Sequence, residues 1–191
     1  MSGWSIGEVR SLAVKAARGA GFSWGMSEEA GFAVTWLQQR SAPGARALAN
    51  YLTDGRAKAN TCPLLLGTAI ADGAIDLPDG GLEVAAPLLI VPFIAPVMQS
   101  QPRSMSFAST HVTFDLETCE LADEAVASAA HLSQIVFNIP STKPSGKAAS
   151  RVSEHEVDAI KVLESFAAKT YAPATEQSRL AGAGAGTSDN D

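Results

Sequence analysis

Apolar residues recur at helical spacing over the first quarter of the chain. Ile6, Val9, Ala13, Ala16, Ala17 and Ala20 fall on one face, which predicts a helix from about Ser5. Ser5 and Glu8 have the spacing of a capping box, in which each side chain satisfies a backbone N–H at the helix start. Arg10, Lys15 and Arg18 line other faces, and Gly19 and Gly21 supply the stop. A second helix is expected from about Ser27, as N-cap, to Arg40. Ala30, Ala33, Val34 and Leu37 give its buried stripe, while Phe32 and Trp36 mark a second covered face. Pro43 opens a third helix, Ala45 to Leu52, and Asp54-Gly55 ends it.

The pattern changes after Thr61. Leu64, Leu65, Leu66, Ile70 and Ala71 form an apolar run that reads as a buried strand. Gly73 and Pro78-Asp79-Gly80-Gly81 are turn signals. Leu82 to Ala86 and Leu88 to Met98 read as extended segments, with their prolines at strand ends or edges. Val112, Phe114 and Leu116 alternate with polar residues, and Ile135, Phe137 and Ile139 share one face of another strand. Residues 140–150 have loop composition. Ser153 and Glu156 form a second capping box before a helix carrying Val157, Ile160, Val162, Leu163 and Phe166 to about Thr170.

This order predicts an α+β fold: N-terminal helices, a central, mainly antiparallel sheet and a C-terminal helix. One domain is expected over 1–171, helical over 1–55, strand-rich over 62–140 and helical over 153–170. Residues 172–191 form a glycine-rich tail with no apolar periodicity.

Length and composition set the outer limits. The chain has 191 residues, and 46% hydrophobic content supports a core of ordinary size. A net charge of −6 disfavours nucleic acid as a partner, because that binding rests on cations against phosphates. The longest apolar stretch, Ala85 to Met98, is broken by Pro87, Pro92 and Pro96 and is too short to span a bilayer as a helix. Met1 to Ile6 lack a basic start and an apolar run, so the cytoplasm is the expected compartment, with Cys62 and Cys119 as reduced thiols.

The densest chemistry lies at Arg18-Gly19-Ala20-Gly21-Phe22-Ser23-Trp24-Gly25, followed by Glu28-Glu29. Together with Lys15-Ala16-Ala17 and Ala30-Gly31, this stretch resembles an uncharacterised bacterial family, domain of unknown function 3726. Thr170-Tyr171-Ala172-Pro173-Ala174, Ser178-Arg179, the run Gly182 to Gly186 and Asp189-Asn190-Asp191 are similar to that family's ending. The resemblance transfers no activity. It does imply that the tail has a role, so docked and solvated tails both stand as readings.

Several chemistries compete at the glycine turn. Glycines before a helix start can cradle an anion, and Arg18 would add a bidentate contact. A helix precedes these glycines, not a strand, so nucleotide fingerprints fail on context. The plain alternative is a helix cap with Arg18 paired to a glutamate. Phe22 and Trp24, two apart, would form one wall of a pocket around Ser23, with Glu28 or Glu29 binding an amine, hydroxyl or cation; the alternative is a buried hydrophobic connection. Glu28 and Glu29 are candidates for acid–base work, but adjacent helical residues diverge by about 100°. Favourable helix-dipole placement explains them as well. His111, His131 and His155 are scattered, with no metal-ligand spacing, so no metal and no cofactor are expected. In the tail, Arg179 is a further ligand-binding candidate, and Asp189, Asn190 and Asp191 are candidate tail contacts.

These residues favour a cytoplasmic binding or accessory protein with its site at the glycine-rich turn. Its partner would be a small metabolite or a partner enzyme, and self-assembly into a homo-oligomer is expected. The alternative is a small metabolic enzyme, a hydrolase or lyase, with Glu28 or Glu29 as general base.

Overall fold

The computed structural model describes residues 3–55, 59–78, 81–99, 104–107, 110–114, 119–121, 128, 132–138 and 156–171. Three helices come first: α1 (Ile6–Gly19), α2 (Trp24–Gln39) and α3 (Gly44–Asp54). Helix α4 (Pro63–Ala71), strand β1 (Leu82–Ala85), a 3-10 turn (Pro87–Ile90) and helix α5 (Val91–Gln99) follow. Four short strands come next, β2 (Ser104–Phe107), β3 (Thr110–Phe114), β4 (Cys119–Leu121) and β5 (Leu132–Asn138). Helix α6 (Val157–Ala167) closes the order and runs into a 3-10 turn (Ala168–Thr170).

The expected α+β fold with a central sheet is corrected: the described residues are mostly helical. Between residues 59 and 99, Leu82–Ala85 is the one strand among the described residues. The run 63–71, read above as a strand, is α4. Proline's fixed φ suits the first helical position, which Pro63 occupies. Pro63, Leu64, Gly67 and Ile70 are buried, at helical and not alternating spacing. The run Leu88 to Met98, read as extended, is a 3-10 turn followed by α5. Pro87 starts the turn, and Pro92 sits in the first turn of α5, where a missing N–H costs little. Residues 84–95 are all buried, so no solvent-facing stripe betrays the helical period.

Helix α2 lies at the centre, packed against α1, α3, α4 and α5, while α6 covers α1 and α3. The buried set is helical apart from short connections and Val84 and Ala85 of β1, among residues whose burial is described. The strands pair antiparallel in the order β1-β5-β2-β3-β4. Leu82 stands opposite Ile135, Met105 opposite Phe137 and Val112 opposite Leu121.

Two helix boundaries also differ from expectation. Helix α2 begins three residues before Ser27, and Ser23 is its N-cap, with its hydroxyl accepting from the Met26 N–H at 3.3 Å. Ser27 is instead a buried first-turn residue whose hydroxyl donates to the Ser23 carbonyl at 2.8 Å. Gly19 is not a left-handed stop; it is the last helical residue of α1, and Gly21 takes the left-handed position with φ 100°.

Candidate functional site

The elbow between α1 and α2 is built by a Schellman closure. The Phe22 N–H donates to the Ala17 carbonyl at 3.1 Å, and the Gly21 N–H donates to the Arg18 carbonyl at 3.0 Å. This pair of bonds requires a left-handed residue at position 21, which glycine adopts without a Cβ clash. Ser23 then caps the next helix within two residues. The turn is therefore short and hydrogen-bonded at both ends.

That geometry separates the two rings. Phe22 turns inward, packs against the core and lies 6.3 Å, centroid to centroid, from the ring of Tyr51 on α3. Trp24 is already the first residue of α2 and points outward, 69% exposed. The expected shared wall of Phe22 and Trp24 is thus not what the backbone produces. Arg18 joins both sides of the elbow. Its guanidinium donates to the Phe22 carbonyl and lies 4.7 Å from the centroid of the Trp24 indole.

The carboxylates diverge as the helical period requires. Glu28 is exposed, one turn after Trp24 on the same face. Glu29 is half-buried, and its pKa is raised: burial contributes most, then the charges of Asp72 at the end of α4 and of Glu28. A raised folded-state value means that Glu29 destabilises the fold once it ionises. Stability attributable to this group falls as pH rises from its unfolded pKa through its folded one, and returns on acidification. Glu29→Gln should therefore stabilise the protein slightly at neutral pH and lose that advantage below the carboxylate range. Thermal melts of the two proteins across pH test this; a constant difference at all pH values would remove Glu29 as the cause.

Beneath the elbow, the Tyr51 hydroxyl is buried without a geometrically good hydrogen bond and faces the Cys62 thiol. Its pKa is pushed up, first by burial and then by Cys62. Both side chains are inaccessible and serve the core.

Other expected positions are dispersed. Arg179, Asp189, Asn190 and Asp191 lie outside the described residues, as do His131 and His155, while His111 is on β3. Among the described residues, no group of three or more His, Cys, Asp or Glu side chains could hold a metal ion. Among the same residues, no helix is long and apolar enough to cross a membrane.

Two features escaped the sequence reading. Glu156 does not cap its own helix; it is 2% exposed and enters the corner between α2 and α3. There it accepts from the Gln38 side-chain amide and, at 2.9 Å, from the Arg46 backbone N–H. The second feature is an open groove of about 540 Å³ between α1 and α6, with Trp4 and Lys15 on one side and Glu164 and Tyr171 on the other. The α1 side was legible as a helical face; the opposite wall lies some 150 residues away in sequence.

With this geometry in place, residues 4–74 match the model of a family described as a protein of unknown function (DUF3726). The match spans α1 to α4 and contains the whole elbow. It does not extend to the tail. No curated protein and no solved structure matches the chain.

Proposed function

We propose that this chain is a binding or accessory protein that meets a protein partner through the α1–α2 elbow. The observation that supports this most is Trp24, whose indole stays 69% exposed on a capped helix start, backed by the Arg18 guanidinium. Trp and Arg are the side chains most often found as interface anchors. Here the anchor is pre-positioned, so little side-chain freedom is lost on binding. Glu28, one turn along, adds an exposed negative charge that selects a partner presenting a cation. Arg18 is already engaged by the Phe22 carbonyl and Trp24, which favours a surface contact over capture of a small anion.

Affinity capture with wild type and Trp24→Ala tests the proposal. A partner held through this indole should be retained about thirtyfold less well, corresponding to the ~2 kcal/mol of an anchor residue. The melting temperature should barely move, because the ring is mostly in water. Sedimentation of the same pair of proteins identifies the case in which the partner is a second copy. An identical partner set, affinity and sedimentation in Trp24→Ala would end the proposal.

One observation favours a second reading. Burial raises the pKa of Glu29, the direction in which a carboxylate is tuned for general acid–base work. Turnover by purified protein that is lost in Glu29→Gln and kept in Glu28→Gln would replace the binding reading with an enzymatic one.

A further inference from the structure

The groove between α1 and α6 is independent of the elbow and has its own chemistry. Gly7, Leu12 and Lys15 on one face of α1 line it, with Trp4 from the residues just before the helix. From α6 and the turn after it come Glu164, Ala167 and Tyr171. Leu12 and Ala167 are buried and give an apolar floor. Trp4, 36% exposed, and Tyr171, 65% exposed, give aromatic walls that remain wet in the free protein. The volume, about 540 Å³, is within the range of small-molecule sites.

Two opposite charges line this groove without pairing. Among the described residues neither Lys15 nor Glu164 makes an ion pair; the Lys15 ammonium instead lies 5.9 Å from the centroid of the Tyr171 ring. The other polar groups of the groove are already committed. Glu8 accepts from the Ser5 N–H at 2.8 Å, and the Ser11 hydroxyl donates to the Gly7 carbonyl at 3.1 Å. So the groove offers one unpaired cation on one helix and one unpaired anion on the other, beside apolar floor and rings.

Gly7 adds an independent observation. It is the second residue of α1, where alanine is the better helix former. Its φ is not positive, and a Cβ built there would meet nothing within 4 Å. The fold therefore has no use for a glycine at this position. What its missing side chain does provide is open room in the groove.

We infer that this groove binds a small zwitterion with a large apolar or aromatic body, the chemistry of a bulky apolar amino acid. Its carboxylate pairs with Lys15 and its ammonium with Glu164. Its body lies on Leu12 and Ala167 between Trp4 and Tyr171, using the space left by Gly7. A ligand with one charge satisfies only one of the two unpaired lining charges, and a charge-assisted hydrogen bond is lost.

Calorimetric titration of the full chain tests this with L-phenylalanine, 3-phenylpropionate, which lacks the amine, and phenethylamine, which lacks the carboxylate. L-Phenylalanine should saturate the protein, and each single-charge analogue should bind at least about tenfold more weakly. Lys15→Met should erase the preference over phenethylamine, and Glu164→Gln the preference over 3-phenylpropionate. Both side chains lie at the surface, so both variants should fold as wild type. Gly7→Ala should melt no lower than wild type yet bind more weakly, a combination that a purely structural role for Gly7 would not give. The inference is overturned if L-phenylalanine shows no saturable heat into the millimolar range, if either analogue binds as tightly, or if the three variants bind as wild type does.

Discussion

Replacing Glu156 with alanine should remove about 3–5 kcal/mol of folding stability, the largest loss expected from any single polar side chain described in this protein. Helix α3 starts at Gly44, and its N-cap position is Pro43, which has no side chain able to accept a hydrogen bond. The Arg46 N–H is therefore one of the donors that a helix start leaves unsatisfied. Glu156 reaches it from the N-terminal end of α6, 110 residues later, at 2.9 Å, and so caps α3 from a different helix. Its negative charge also sits at the positive end of that helix. The second carboxylate oxygen accepts from the amide of Gln38, itself 2% exposed on α2. Truncation strands both donors in a buried corner, at about 1–3 kcal/mol each, and leaves a void. Glu156→Gln keeps the shape but turns an N–H₂ towards one of two donors, so a smaller loss of about 1–2 kcal/mol is expected. Urea denaturation separates these outcomes: the midpoint should fall in that order with little change in slope. A loss under about 1 kcal/mol for the alanine variant would mean that Glu156 does not cap α3.

The same residue shows where sequence reasoning stops. Ser5 and Glu8 were read as a capping box, and the structure has both bonds, at 3.3 and 2.8 Å. Ser153 and Glu156 have the same spacing, yet Glu156 serves α3, because spacing along the chain carries no information about a donor 110 residues away. Helices with one wet face were legible: α1, α3 and α6 each pair a buried stripe with exposed polar residues. Helices α4 and α5 were not. Helix α5 is buried from Val91 to Ala95, and α4 carries apolar residues on its exposed side as well, Leu65 among them, so in neither does the sequence show a 3.6-residue period. Pro63 and Pro92 were the remaining signals, and both were compatible with a strand boundary as well as with a helix start. At the elbow, the Gly21 turn could be read, but the Arg18 guanidinium lies over the Trp24 ring and not beside a glutamate, a contact the spacing did not announce. What could not be read was which ring turned inward. That is decided by Tyr51 on α3, against which Phe22 packs, and by Ser23 starting the helix early enough to swing Trp24 out. Likewise, the raised pKa of Glu29 comes first from its burial and then from Asp72, which follows a later helix, and neither can be read from its neighbours in sequence.

Gly19→Ala should destabilise the protein by about 1–3 kcal/mol, although helix propensity alone predicts a gain of up to ~1 kcal/mol. Gly19 ends α1 where the backbone of α6 crosses closely. A Cβ at this position would lie 2.7 Å from the carbonyl carbon of Phe166, overlap its oxygen and come within 3.4 Å of the Lys169 Cβ. Carbon atoms pack at about 3.5–4.0 Å, so α6 must back away by on the order of an ångström. The Phe166 backbone, in the last turn of α6, has no rotamer with which to yield, unlike the far end of a side chain. Moving α6 disturbs Ile160, Leu163 and Ala167 in the core, together with the capping carboxylate at its start. The contrast with Gly7 sharpens the test, since both glycines lie in α1 without a positive φ. Alanine at position 7 enters open space and should not lower the melting temperature. Alanine at position 19 should lower it by several degrees, at about 2–4 °C per kcal/mol for a chain of this size. If Gly19→Ala melts at or above wild type, α1 and α6 do not approach as closely as described, and the groove between them has a different width.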